Sequence, residues 1–255
     1  MIEIKNGQQI EKMREAGHVV ATALQAMEQA AEIGMTLRDL DAIGARVLKE
    51  AGAISPFLNY HPDWAPTPFP GSICASVNDA IVHGIPNNYT IQDGDVISID
   101  FGAVLNGWCG DSARTFIVGN AAPEDTALVE LTRQALYAGI EAAKIGNTIG
   151  DIGYAINQIA KKNKLGNLND HGGHGIGTEM HMDPFVPNEG RRGKGMKLQA
   201  GLVIAIEPMF ILGGRGDYMY DDDGWTIRST RGGRAAHWEH TIAITENGPD
   251  ILTAV

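Results

Sequence analysis

Hydrophobic positions recur along the chain with two different periods. Ile10, Met13, Val20, Leu24 and Met27 fall at helical spacing, as do Leu128, Leu131, Leu136 and Ile140. Each set predicts an amphipathic helix. Downstream of each, a threonine stands three residues ahead of an aspartate, Thr36 with Asp39 in GMTLRDLDAI and Thr148 with Asp151 in GNTIGDIGYAI. That is the capping-box spacing and predicts a second helix start in both places. The run GLVIAIEPMF at 201–210 reads instead as a buried strand, yet Glu207 follows Val203, Ile204, Ala205 and Ile206, and Pro208 removes the next backbone donor. A lone carboxylate buried there is costly, so Glu207 must have partners.

The same order of features occurs twice. IQDGDVISIDFG (91–102) aligns without gaps on LQAGLVIAIEPM (198–209), setting Asp100 opposite Glu207. HGIP at 83 echoes HGIG at 174, and DSARTFIVG and EHTIAITENG each put an acid ahead of a β-rich run, so Asp111 matches Glu239. Four matches in one order predict a duplicated α/β fold of roughly 110–120 residues per half. The approximate halves are 8–119 and 123–250 of a single domain spanning 1–255. GNAAPED runs straight into a helix with no linker composition, which favours one domain with approximate two-fold symmetry over two in tandem. The paired carboxylates are then expected to meet on the axis.

Composition narrows the partners. Hydrophobic residues make up 44% and charged residues 20%, as in an ordinary globular chain. A net charge of −11 argues against a nucleic-acid or anionic-membrane binder, and part of that excess reads as carboxylates awaiting cations. Cys74 and Cys109 are too few for a disulfide framework, and the polar stretch after Met1 carries no apolar signal core. With no run of membrane-spanning length, the expected location is the cytoplasm.

Whether two of the acids can meet is a question of register. Asn106-Gly107 is a strong two-residue hairpin signal, and such a turn pairs Leu105 with Trp108, Gly102 with Asp111 and Asp100 with Ala113. Asp100 and Asp111 are then diagonal neighbours ~7–8 Å apart on one face, unless a bulge intervenes. Ser98 and Ala205, two residues back on the same faces as Asp100 and Glu207, predict room beside the acids.

Four converging carboxylates repel one another without cations. Their oxygen-rich set suits manganese, iron, cobalt, magnesium or zinc, and bridging carboxylates space a pair of ions ~3.5–4 Å apart. His174, flanked by Gly173 and Gly175, can approach closely and tilts the choice toward a transition metal. His83 and His181 are candidates for substrate contact. His18, His61, His171, His237 and His240 have no comparable context, except that His240 adjoins Glu239. The cysteines read as small buried residues rather than nucleophiles, HGGHGIG lacks the context of a dinucleotide site, and GRRGKG reads as an exposed basic loop.

Taken in order, VNDAIVHGIP, GDVISIDFG, GDSARTFIVG, GGHGIG followed by MHMDP, AIEPM and WEHTIAIT resemble the type I methionine aminopeptidases across nearly the whole chain. The resemblance implies the α/β pita-bread fold, two pseudo-two-fold-related halves with antiparallel sheet and outer helices around a central dinuclear metal site. It implies two divalent ions (Co, Mn, Fe or Zn) on Asp100, Asp111, His174, Glu207 and Glu239, with Asp111 and Glu239 bridging. Glu207 would also relay a proton, His83 would lie near the scissile nitrogen and His181 near the carbonyl.

The implied activity is removal of the initiator methionine when the second residue is small. Met180 stands where the family usually has phenylalanine, and NYHPDWAPTPFP looks longer than the compact bacterial pattern. Phe69, Cys74, Met180 and Trp225 are the expected walls of the methionine pocket. Proline-specific peptidases of this fold add a large N-terminal domain and space the two histidines further apart. A type II enzyme carries a helical insertion between the positions of His181 and Glu207, and an inactive relative would have lost ligands. The expected partners are the N-termini of nascent polypeptides, with transient ribosome association, no sequence-specific nucleic acid, no membrane and a monomeric state.

Overall fold

The computed structural model describes residues 2–168 and 170–254. In chain order the elements begin with α1 (Gly7–Ala30), α2 (Leu37–Ala51), β1 (Cys74–Val77), β2 (Ala80–Val82), β3 (Asp95–Leu105) and β4 (Trp108–Val118). There follow α3 (Pro123–Ala142), α4 (Ile149–Asn163), β5 (Gly166–Asn167), β6 (Gly172–Gly175), β7 (Met182–Pro187), β8 (Val203–Ile206) and β9 (Met209–Ile211). The chain closes with β10 (Tyr218–Tyr220), β11 (Ile227–Ser229), β12 (Ala235–His237), β13 (His240–Thr245) and β14 (Gly248–Ile251).

Both capping boxes form where the spacing predicts them. Thr36 N donates to Asp39 Oδ2 at 2.8 Å, and Thr148 N donates to Asp151 Oδ2 at 2.8 Å. The carboxylate at the third position thus satisfies a backbone donor that the helix itself cannot. Helix α3 has no side-chain cap and starts on Pro123, whose missing N–H would be unsatisfied in any case.

Two separate cores carry the duplication. Val20, Leu24 and Met27 of α1 and Leu40 of α2 pack on Ile97, Ile99 and Phe101 of β3. Leu136 and Ile140 of α3 and Ile152 and Ile156 of α4 pack on Ile204 and Ile206 of β8 in the same manner. Each fully buried aliphatic side chain stabilises its half by about 1.5–3 kcal/mol. In sheet order β3 lies between β1 and β4, and β8 lies between β6 and β13, all antiparallel. The two HGI segments do not match in this topology. His174 lies on β6, whose counterpart beside β3 is β1, whereas His83 follows β2 in a left-handed conformation with φ 59°. The echo is one of sequence only.

The β3–β4 ladder runs unbroken from Asp95 opposite Val118 to Leu105 opposite Trp108, with Asp100 opposite Ala113 and Gly102 opposite Asp111. Asn106 (φ 51°) and Gly107 (φ 79°) are both left-handed, as a primed two-residue turn requires. No bulge displaces the acids. The space expected beside Ser98, however, is filled: its hydroxyl meets Thr115 Oγ1 at 2.8 Å, and the two hydroxyls accept from the backbone N–H of His237. A small residue at 98 makes room for a strand of the other half, not for a cavity.

The halves are joined along β4. Glu239 N donates to Ala113 O at 2.9 Å, Thr241 Oγ1 donates to Asp111 O at 2.7 Å, and Thr115 Oγ1 donates to His237 O at 2.6 Å. Asp111 and Glu239 therefore sit on the seam that joins the two cores.

Candidate metal centre

Each acid enters the centre from a different position on the sheets. Asp100 and Asp111 come from the first hairpin, Glu207 from the end of β8, and Glu239 from the two-residue link between β12 and β13. Gly173 lets His174 in, because a Cβ there would run into the carbonyl oxygen of Ala205, and one at Gly175 would run into that of Asp183. His174 Nδ1 lies 3.0 Å from Gly175 O, which makes Nδ1 the protonated nitrogen and leaves Nε2 a bare acceptor. That Nε2 is 3.6 Å from Asp111 Oδ2 and 3.8 Å from Glu207 Oε1.

His237 completes the cluster, and the sequence reading passed over it. Its Nε2 lies 3.5 Å from Glu207 Oε2 and 4.0 Å from Glu239 Oε2, and the side chain is buried. The available signal was its place two residues before Glu239, which puts both on one side of an extended segment. Ligand atoms of Asp111, His174 and Glu239 lie within 4.8 Å of one another, as do those of Glu207, His237 and Glu239.

The electrostatics are those of carboxylates crowded together out of water. Burial, and then the charges of Asp111 and Glu207, hold Asp100 well above the usual carboxylate range. Burial followed by Asp111 does the same to Glu239. For Glu207 burial acts upward, but His237 at 3.5 Å, then His174 and His181, bring it below its ordinary value. His174 is opposed by burial and raised by Asp111 and Glu207. Asp100 Oδ1, Asp111 Oδ1 and Glu239 Oε1 are buried and make no hydrogen bond. Buried acceptors are otherwise almost always paired, so these orphaned oxygens fit a divalent cation, and carboxylates with imidazole suit a transition metal.

His240, the neighbour of Glu239, turns away from the acids. Its Nδ1 meets Thr253 Oγ1 at 2.8 Å, and burial pushes the imidazole down to about 4. The folded group is neutral, whereas the unfolded one titrates near its ordinary value of about 6.5. The stability it contributes is therefore fully present above about pH 6.5 and is lost as the pH falls toward 4. His240→Asn should flatten the urea midpoint between pH 7 and 4. An unchanged slope would remove His240 from the acid limb.

Beside the acids lies a cavity of about 330 Å³. His83, Asp100, Asp111, His174, His181, Glu207 and Glu239 all line it. Burial pushes His83 down to about 4 and lowers His181, so both are neutral near pH 7. Phe69, Cys74 and Trp225 form one apolar cluster at this cavity, with Cys74 directly opposite Asp100 across the β1–β3 pair. Burial, then Asp100, raises the Cys74 thiol well above its ordinary value, and burial pushes Cys109 up to about 12, so neither is a ready thiolate.

Met180 departs from expectation. It does not line the cavity but packs on the cluster of Met13, Cys109, Ile176 and Val203, with its methyl against Gly102. Because Gly102 has no side chain, the unbranched thioether can turn into that gap. Lining residues that the sequence reading missed are Tyr60, Trp64, Phe57, Asp170, His171, Phe185 and Met209. The GRRGKG loop is exposed, as expected, with Gly150 N donating to Lys194 O at 2.9 Å and Arg192 over the Tyr154 ring at 4.5 Å.

Comparison with known proteins bears on this geometry. The profile of metallopeptidase family M24 matches residues 11–246. Methionine aminopeptidase 1 of Mycobacterium tuberculosis is 48% identical, covering 96% of this chain and 92% of its own. The methionine aminopeptidase of Clostridium acetobutylicum is 44% identical over 99% of both. The crystal structure of the Thermotoga maritima methionine aminopeptidase superposes with a TM-score of 0.95 at 38% identity, covering both chains fully. With so much of its length matched, and with buried unpaired carboxylates at its centre, the chain belongs to metallopeptidase family M24, among the methionine aminopeptidases.

Proposed function

We propose that this hydrolase removes the N-terminal methionine from nascent proteins and peptides, preferentially when the second residue is small. The observation that carries the reading is the junction of two environments in one cavity. Orphaned carboxylate oxygens lie at one wall, and the apolar cluster of Phe69, Cys74 and Trp225 lies at another. An unbranched thioether suits the apolar wall, and a free amine suits the carboxylates.

Asp100, Asp111, His174, Glu207 and Glu239 would hold two divalent ions, with Asp111 and Glu239 shared because they lie on the seam. The bound metal supplies Lewis acidity, lowering the pKa of water and polarising the scissile carbonyl. Glu207, kept ionised by its histidine neighbours, takes the proton from water and delivers it to the departing amine. His237 orients that carboxylate from 3.5 Å. His181, which when neutral still carries one ring N–H, faces the carbonyl oxygen as charge develops on it, while His83 faces the scissile nitrogen.

The halves 8–119 and 123–250 act as one catalytic domain, since neither contains all five donors. None of the described helices is long and apolar enough to cross a membrane. A cytoplasmic monomer meeting nascent chains transiently at the ribosome fits this reading.

Hydrolysis of Met-Ala-Ser with cobalt, manganese, iron or zinc tests activity, substrate and metal together. Met-Ala, Met-Gly and Met-Ser peptides should be cleaved, Met-Lys and Met-Leu poorly, and formyl-methionyl peptides not at all. A higher kcat/KM on Pro-led or Leu-led peptides of equal length would overturn the assignment.

A further inference from the structure

Residues 60–69 form a strap at the cavity mouth. Asn59 N donates to Phe69 O at 2.9 Å and Phe69 N donates to Tyr60 O at 2.8 Å, closing the strap at its base. Pro62, Pro66 and Pro68 stiffen it, Ala65 N donates to Pro62 O, and Trp225 Nε1 donates to Thr67 O at 2.9 Å. Held this way, Trp64 meets the Trp225 ring edge-on with centroids 5.0 Å apart. It lines the cavity and yet is 57% exposed.

Exposure rises along this aromatic wall. Phe69 is 2% exposed, Trp225 4%, Tyr60 43% and Trp64 57%. Tyr60 lies with its ring 6.1 Å from that of His181 and 6.3 Å from that of Trp225. The wall thus runs from the buried apolar end, past the histidine that faces the reacting carbonyl, to solvent. A large apolar ring fixed in water at the end of such a wall presents ready-made contact area to a chain leaving the cavity.

We propose that Trp64 is a specificity-determining residue that contacts the third residue of the peptide and favours an apolar or aromatic side chain there. This rests on the methionine aminopeptidase reading, in which the first side chain fills the pocket of Phe69, Cys74 and Trp225 and the second is small. Trp64 packs on the outer side of this wall against Trp225 and is its most exposed ring, so under this proposal it meets a residue that a dipeptide lacks. An edge or stacked contact with an aromatic third residue would form without reordering the strap, whose conformation the prolines and the Trp225–Thr67 bond already fix.

The test compares kcat/KM for Met-Ala, Met-Ala-Ser and Met-Ala-Phe in wild type, Trp64→Ala, Trp64→Phe and Phe185→Ala, the last removing a 53% exposed ring that also lines the cavity. Wild type should favour Met-Ala-Phe over Met-Ala-Ser. Trp64→Ala should reduce the ratio of Met-Ala-Phe to Met-Ala by about tenfold, and Trp64→Phe should restore most of it. An equal fall on all three peptides would overturn the proposal, making Trp64 a prop for Trp225 and the methionine pocket. An unchanged ratio, or a ratio lost in Phe185→Ala instead, would overturn it as well. Failure of wild type to cleave even Met-Ala would sink the peptidase reading itself, a result distinct from any of these.

Discussion

Glu207→Gln should lower turnover of Met-Ala-Ser by about 10²–10⁴-fold while the fold persists, the range expected when a positioned acid–base group is lost. The substitution keeps the shape of the side chain and the bond from Asn188 Nδ2 to the Glu207 carbonyl at 2.9 Å. It removes the group that can hold a proton between water and the leaving amine. His237 and His174, which bring the Glu207 carboxyl below its ordinary value, would then face a neutral amide. Turnover and metal content should be measured on the same preparation, because Glu207 is also a proposed ligand. Near-wild-type turnover at full metal occupancy would reject the relay.

Asp111→Asn and Glu239→Gln should each weaken metal binding at both proposed sites. Replacing even an outer hydrogen-bond partner of a ligand costs about 10–100-fold in affinity, and a bridging charge should cost at least that. Both residues are buried, each has an oxygen without a hydrogen bond, and both lie on backbone that pairs across the seam. Asp100→Asn should weaken mainly one site, since Asp100 lies away from the seam on β3. Titration calorimetry with manganese or cobalt separates the two patterns. Unchanged stoichiometry and affinity in both bridging variants would defeat the assignment.

What the sequence made legible was local or periodic. The Asn106-Gly107 turn carries its own register, so the placement of Asp100 and Asp111 on one face followed from two residues and an alternation of two. The capping boxes likewise span only four residues. The duplication was readable because each half must build a helix pair over a strand, and both use the same apolar spacing. His237 was not readable in the same way. Its strand is three residues long, and it meets Glu207 because β12 pairs with β9, setting His237 opposite Met209, two residues past Glu207, a pairing that no local period encodes. Ser98 misled for the same reason, since the group it accommodates is the backbone of that strand. Met180 was placed at the pocket because it stands where the family usually has phenylalanine, whereas its methyl packs into the hollow left by Gly102, on the other half. The Trp64 strap offered prolines and aromatics but no period, and only closure by the Asn59–Phe69 and Phe69–Tyr60 bonds defines where its rings point.

The seam along β4 also sets an order of events. The proposed donors are dispersed over positions 100, 111, 174, 207 and 239, so a chain emerging during synthesis presents two carboxylates long before the rest. A pair of aspartates on one hairpin is a weak, solvent-washed chelate. The strong one comes into being when Glu239 N closes on Ala113 O and Thr241 Oγ1 on Asp111 O. Metal capture by the proposed donors would therefore come late, on the finished topology, and its binding free energy would add to the stability of the joined halves rather than of either one. A peptidase acting on other chains as they are made would in this way stay inert until its own making is complete.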